Sequence, residues 1–454
     1  MSRWLLIITP ASALALFLIM LGQGWAYPAA VTAALTLVCA LWWIFEPIPI
    51  PFTSLLPIAL FPLLGVLTPA QVGQSVGSPL ILLLMGGFML STAMADSGAH
   101  RRIALHMVNL FGGGSARGLV VGFMVAAATL SMWISNTATT LMLLPVALAV
   151  LERTERAMAV PLLLGIAYAA SIGGLGTPIG TPPNLIFMQV HLDQFGQAPT
   201  FLQWMTWGIP VVVLLVPAAG WWLTRGLSLK QPVVLPHAGK WTRYERRVLI
   251  VFALTALAWI TRQAPAGGWS GWLDLPQAND ASVALIAVTL MAMLPNGEGG
   301  RLLNWDSTVK IPWGVLLLFA GGITLATAFV SSGLAEIISG NLAALSTLPT
   351  WLLIVAICLG VTFLTEVTSN TATASLLMPV LAATAVATGI EPMLLMVPAA
   401  LSASCAFMLP VATAPNAIVY GSQWISVKDM VRAGFVLNLM GAVVITLVSV
   451  LRFG

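Results

Sequence analysis

Charge is what this 454-residue chain has least of: 7% of it is Asp, Glu, Lys or Arg, against 59% hydrophobic residues. A soluble domain is nearer one quarter charged. The mean hydropathy is +0.99, and no soluble fold of this size could hide so much apolar surface. Lipid is therefore the solvent for much of the chain. Cysteine is also scarce. Cys39, Cys358 and Cys405 lie in apolar runs without paired spacing, which reads as small buried hydrophobes and excludes a disulfide framework. The four histidines, His100, His106, His191 and His237, sit in loops or at span ends and receive no role. There is no HExxH, no GxSxG with a His partner and no intramembrane aspartate pair, so the chain does not read as an enzyme. Gly173-Gly-Leu-Gly-Thr-Pro178 lacks the strand context and the lysine of a nucleotide loop, which argues against ATP coupling. The net charge of +4 belongs to loop Lys and Arg and does not indicate nucleic-acid binding.

What is present is a series of apolar runs. A spanning helix takes about 20 such residues, which allows roughly ten to twelve spans here. Runs lie near 4–22, 28–46, 53–67, 79–95, 161–190, 206–225, 247–263, 281–295, 312–331, 394–421 and 430–451. Two further stretches, 119–150 and 350–387, are interrupted by small polar residues. The first run reads as a helix, because Gly22-Gln-Gly-Trp-Ala26 is a poor cleavage site for a signal peptide.

The chain repeats itself. Ser135-Asn-Thr-Ala-Thr-Thr-Leu-Met-Leu-Leu-Pro-Val146 matches Ser369-Asn-Thr-Ala-Thr-Ala-Ser-Leu-Leu-Met-Pro-Val380. Thr177-Pro-Ile-Gly-Thr-Pro-Pro-Asn184 matches Leu409-Pro-Val-Ala-Thr-Ala-Pro-Asn416, and Gly86-Gly87 matches Gly321-Gly322. Three matches in one order at nearly one spacing mean a duplicated unit. If each interrupted stretch is a hairpin entering and leaving on one side, five crossings separate the two copies. Five is odd, so the copies are inverted, a common plan of secondary transporters. Loop 96–118 carries Arg101, Arg102 and Arg117; linker 226–247, with Arg225 at its start, carries Lys230, Lys240, Arg243, Arg246 and Arg247. The positive-inside rule puts both in the cytoplasm. The N-terminus then lies inside and the C-terminus outside. The first hairpin opens from the cytoplasm, and the second, with Glu336 and Glu391 beside it, from outside.

The chemistry centres on Ser135-Asn136-Thr137 and Ser369-Asn370-Thr371. Ser, Asn and Thr cap helices by accepting from free backbone N–H groups. At membrane depth such a bend is tolerated only where it is buried or lines a watery cavity. Two hairpin tips meeting from opposite sides would aim helix N-termini at the midplane and make an anion site without Lys or Arg. The second pair is Gly180-Thr181-Pro182-Pro183-Asn184 and Ala412-Thr413-Ala414-Pro415-Asn416, where proline should unwind each span. The freed carbonyls of Gly180 and Ala412 suit a small cation. Glu366, the one acid approaching the second triplet, reads equally as a proton carrier or a structural partner.

At these motifs the chain resembles the divalent anion/sodium symporter family. The resemblance covers nearly the whole chain and rests on Ser131-Met-Trp-Ile-Ser-Asn-Thr-Ala-Thr-Thr140, Thr365-Glu-Val-Thr-Ser-Asn-Thr371, Pro410-Val-Ala-Thr-Ala-Pro-Asn-Ala-Ile418 and Gly434-Phe-Val-Leu-Asn-Leu439. It implies an all-α polytopic fold of about 11 transmembrane helices plus two re-entrant hairpins in inverted repeats. It implies a homodimer in a bacterial inner membrane, working as an elevator. The scaffold would be 1–117 and 248–348, the transport domain 118–225 and 349–454, and 226–247 a cytoplasmic basic linker. The first sodium would sit at Ser131, Ser135, Asn136 and the Gly180 carbonyl, the second at Thr365, Thr368, Asn370 and the Ala412 carbonyl. The dicarboxylate would bind between the triplets, Ser135, Asn136, Thr137 and Ser369, Asn370, Thr371, with Thr181 and Thr413 nearby. Two departures stand out: Thr368 stands where some members of the family have a smaller residue, and Ala414 replaces the first proline of the usual Thr-Pro-Pro-Asn. The expected activity is sodium-coupled uptake of C4-dicarboxylates such as succinate, malate or fumarate. The alternatives are a dicarboxylate, tricarboxylate or sulfate exchanger of the same family and, from another class, a passive anion channel.

Overall fold

The computed structural model describes residues 2–111, 115–152, 154, 156–227, 239–334, 337 and 349–453. Lys230, His237, Glu336 and most of the linker centre lie outside the described residues. The described chain is helical apart from turns and one isolated bridge between Pro295 and Arg301.

The first half runs α1 (Ser2–Gly22), α2 (Tyr27–Phe45), α3 (Ile50–Leu63), α4 (Pro69–Val76), α5 (Pro79–Ser97), α6 (Ala99–Phe111), α7 (Ala116–Ser131), α8 (Asn136–Leu151), α9 (Ala159–Gly173), α10 (Pro182–Phe195) and α11 (Phe201–Thr224). The second half runs α12 (Arg243–Ile260), α13 (Gly268–Trp272), α14 (Asp280–Met293), α15 (Trp305–Thr308), α16 (Trp313–Ser331), α17 (Thr350–Thr365), α18 (Asn370–Thr388), α19 (Pro392–Ser402), α20 (Ala414–Gly421) and α21 (Val427–Phe453). Among the described residues, eight helical segments are long and apolar enough to cross a membrane, and six more are apolar but shorter. Many outward side chains are apolar and exposed, Trp4, Trp221, Val443 and Leu451 among them. Lipid is the solvent that accommodates such a surface.

The expected interruptions are real breaks. The stretch 119–150 divides into α7 and α8, with Ser135 as N-cap, and 350–387 divides into α17 and α18, with Ser369 as N-cap. At 1.5 Å per residue the 16-residue arms α7, α8 and α17 are about 24 Å long, short of a hydrocarbon core of about 30 Å. The proline clusters end their helices as expected. The chain leaves α9 at Gly173, makes one 3-10 turn at Gly174–Gly176 and re-enters α-helix at Pro182. It leaves α19 at Ser402 and re-enters at Ala414.

The two copies interlock. Arm α8 packs on α20 of the second copy, and arm α18 packs on α10 of the first. Helix α9 lies on α7, and α21 closes over α11, α17 and α19. A separate apolar cluster joins α2, α3 and α16 around Trp43, Phe61 and Phe329. Inside it the Trp43 indole N–H donates to Ser54 Oγ at 3.0 Å.

One segment departs from expectation. Loop 96–118 contains the amphipathic helix α6, which buries Ala104, Leu105 and Val108 and turns Arg101 outward. Its apolar stripe is too short to register as a span but long enough to fold against the core. Arg102 Nε donates to Glu245 Oε1 at 2.8 Å, and the Arg102 guanidinium lies over the Trp241 ring. The two basic segments thus touch.

Candidate functional site

Four helix starts converge on one cavity of about 510 Å³. Ser135, Thr181, Ser369 and Thr413 are the N-caps of α8, α10, α18 and α20, and all four line it. Ser135 Oγ accepts from Ala138 N at 3.2 Å, and Ser369 Oγ from Ala372 N at 3.0 Å. The caps therefore follow the triplet sequence, as side-chain oxygens meet free N–H groups. Asn136, Thr137, Gly180, Asn370, Thr371 and Ala412 complete the polar lining. Leu84 and Phe88 of α5, with Ile179 and Val315, supply an apolar wall. No charged side chain is part of the lining.

Three of the site residues named from sequence lie behind the cavity wall. Ser131 and Thr365 are fully buried and Thr368 nearly so. The Asn136 amide sits 2.6 Å from Ser131 Oγ. Turned with its nitrogen inward, it also reaches the carbonyls of Ala170 at 3.2 Å and Gly180 at 3.3 Å. In the second copy Thr365 Oγ1 lies 2.9 Å from Asn370 Oδ1 and 2.9 Å from the Ala403 carbonyl. Thr368 Oγ1 pairs with Thr373 Oγ1 at 2.5 Å and reaches Leu364 O. Each copy therefore gathers a hydroxyl, an Asn side-chain amide and a backbone carbonyl at one spot. Such hard neutral donors fit a monovalent cation. Among the described residues no cluster of His, Cys, Asp and Glu could hold a metal of another kind.

The broken segments are held by side chains whose roles the sequence did not disclose. Asn184 Nδ2 donates to the carbonyls of Gly174 (3.0 Å) and Thr177 (2.8 Å). Asn416 Nδ2 does the same for Ala406 (3.1 Å) and Leu409 (3.0 Å). The two amides use the same spacings, ten and seven residues back, and both are fully buried. The Gly174 and Ala406 carbonyls lie four residues before Pro178 and Pro410, so no helical N–H can reach them and the amides satisfy them instead. The recurrence of Asn in both proline motifs was the available signal. A Cβ at Gly180 would collide with the Gly174 carbonyl, so only glycine fits where that loop folds back on itself.

Glu366 belongs to the second copy alone. Oε1 accepts from Phe407 N at 2.7 Å, Met408 N at 2.9 Å and Asn438 Nδ2 at 2.8 Å, and Oε2 accepts from Leu409 N at 3.0 Å. Of the two roles left open for it, this geometry is the structural one: the carboxylate pins the second break to α17 and α21. In the first copy Met132 stands there, and its carbonyl accepts from Thr177 Oγ1.

A helical membrane protein whose two broken segments and two capped helix starts meet at one neutral polar cavity has the architecture of a secondary transporter. The chain belongs to the citrate transporter family, whose model matches residues 40–400. The motif resemblance is thereby borne out, and the protein is a transporter, not an enzyme. It is 39% identical over 442 residues to the sodium-dependent dicarboxylate transporter SdcS of Staphylococcus aureus, covering 91% of this chain and 84% of that one. Two solved structures share its fold. The YdaH transporter of Alcanivorax borkumensis aligns with a TM-score of 0.58 at 15% identity, over 86% of this chain and 87% of that one. MtrF of Neisseria gonorrhoeae, described within a class of antimetabolite efflux pumps, aligns with a TM-score of 0.60 at 14% identity, over 87% and 84%.

Proposed function

We propose that this chain imports C4-dicarboxylates such as succinate, malate and fumarate, each molecule carried in with sodium ions. The convergence of four helix N-termini on one cavity without a basic side chain carries this reading. Each N-terminus presents roughly half a positive charge. Together with the capping hydroxyls, they suit a small dianion. One sodium would take Ser131, Ser135, Asn136 and the Gly180 carbonyl, and a second Thr365, Thr368, Asn370 and the Ala412 carbonyl; of these, Ser131, Asn136 and Gly180 already meet, as do Thr365 and Asn370. The ions then supply the positive charge that Lys or Arg would supply elsewhere, which makes anion binding depend on sodium. SdcS, a sodium-dependent dicarboxylate transporter by name, supports both the cargo and the coupling.

The movement fits an elevator. Segments 118–225 and 349–454 form the transport domain, with α7–α8 and α17–α18 as re-entrant hairpins of inverted copies. Segments 1–117 and 248–348 form the scaffold, which presents Leu84, Phe88 and Val315 to the cavity. The protein works as a homodimer in the bacterial cytoplasmic membrane. Contact between Arg102 and Glu245 supports placing both basic segments on the cytoplasmic side, with the N-terminus inside and the C-terminus outside.

The test is succinate uptake into proteoliposomes, driven first by a sodium gradient and then with choline in its place. Sodium-driven accumulation is expected. Equal uptake in choline would refute the coupling, and counterflow of labelled succinate separates a carrier from a channel.

A further inference from the structure

The two oxygen clusters are joined by a short path. Thr181 Oγ1 and Ser404 Oγ lie 3.1 Å apart, 223 residues apart in sequence, and both side chains are buried. Thr181 follows Gly180, whose carbonyl lies within reach of the Asn136 amide. Ser404 follows Ala403, whose carbonyl accepts from Thr365 Oγ1, the hydroxyl that also meets Asn370. One hydrogen bond and two peptide units thus separate the first cluster from the second.

Coupling requires a second arrangement, and the counterpart of Thr181 in the other copy displays one. Thr413, at the matching position of the other copy, turns its hydroxyl back to accept from Asn416 N at 3.3 Å and so caps α20. Thr181 makes no such cap on α10; its hydroxyl crosses to Ser404 instead. The same residue type in the same helical position therefore takes either of two roles, a cap within its own copy or a bridge to the other. A cation drawing the Gly180 carbonyl inward would reorient the adjoining Thr181 and bias that choice.

We propose that the Thr181–Ser404 hydroxyl pair couples the two cation sites, so that an ion at one strengthens binding at the other. The inference rests on the sodium reading above. Thr181 and Ser404 act here as positioning residues: Ser404 touches neither ion nor anion, and Thr181 acts through its bridge.

The measurement is thermal melting of purified protein in detergent, without dicarboxylate, as sodium replaces choline at constant ionic strength. The wild type should be stabilised along a cooperative sodium curve. Thr181→Val and Ser404→Ala should each flatten that curve and move its midpoint up by about fivefold or more, the range of ordinary site coupling. The double variant should be no worse than either single, and Thr181→Ser should restore cooperativity. Should Thr181→Val fail to fold, Ser404→Ala and Thr181→Ser carry the comparison. A cooperative wild-type curve left unchanged by Ser404→Ala would overturn the coupling alone, as would additive losses in the double variant. A wild type indifferent to sodium would overturn the sodium reading beneath it.

Discussion

Glu366 and Asn438 meet 2.8 Å apart inside the second half of the protein, a carboxylate at the break between α17 and α18 held by an amide on α21. With three successive backbone N–H groups, the amide completes a set of four donors around one acid. A glutamine there would set an NH₂ group against those N–H groups. Glutamine loses the charge-assisted character of several hydrogen bonds at once, each about 1.5–3 kcal/mol, whereas Asn438→Ala removes one of them. Glu366→Gln should therefore lower the melting temperature more than Asn438→Ala. Thermal melts of the two variants check the order, and a Glu366→Gln protein as stable as wild type would remove the strut.

The paired amides predict a symmetric result. Asn184 and Asn416 each hold two carbonyls at matching spacings. Replacing either with Ala takes the amide donor from the Gly174 or Ala406 carbonyl, at about 1–3 kcal/mol, while the Thr177 and Leu409 carbonyls keep the backbone N–H of Gly180 and Ala412. Both variants should lose stability to a similar degree and lose most uptake, since the loops carrying Gly180 and Ala412 would no longer be fixed. Melting and succinate uptake on the two proteins, side by side, decide this. One variant behaving like wild type would mean that its break is held by other contacts.

These amides also show where sequence reasoning stops. The triplets and proline clusters recur along the chain, so the breaks at Ser135, Ser369, Thr181 and Thr413 were legible from residue type alone. Apolar runs of span length located most helices within a few residues. Helix α6 has the sequence of a loop, because its apolar stripe is short and its charges dominate the composition. Ser404 and Asn438 have no local signature at all. Their meaning lies in contacts with Thr181 and Glu366, 223 and 72 residues away. Glu366 itself stood out as a lone acid, but only its four donors separate a strut from a proton carrier.

The contact between Arg102 and Glu245 predicts a pH effect. Burial raises the Glu245 carboxyl, but the Thr242 backbone N–H and the Arg102 guanidinium outweigh it, and the pKa falls below the ordinary value. A depressed folded-state pKa means the contribution is complete above the unfolded value of about 4.3 and is lost as pH falls through the folded one. Glu245→Gln should therefore melt lower than wild type at neutral pH, and the gap should close only below about pH 4. A gap that stayed constant into acid would show that the Arg102 contact contributes nothing through charge.

The departure at Ala414 can be tested by reversing it. Its counterpart Pro182 occupies the first position of α10, where the missing N–H has no helical partner to lose. Ala414 is likewise the first residue of α20, and Thr413 before it is extended, with φ −142° and ψ 152°. That is the conformation a following proline demands. Ala414→Pro should thus fit without strain and stabilise the protein by about 0.4–1 kcal/mol through the unfolded chain. The substitution leaves the Ala412 carbonyl and the Thr413 cap in place, so sodium-driven succinate uptake should persist. Melting and uptake on this one variant check both halves. A destabilised Ala414→Pro protein would mean that the second break depends on the Ala414 N–H, and that the two copies differ there by need.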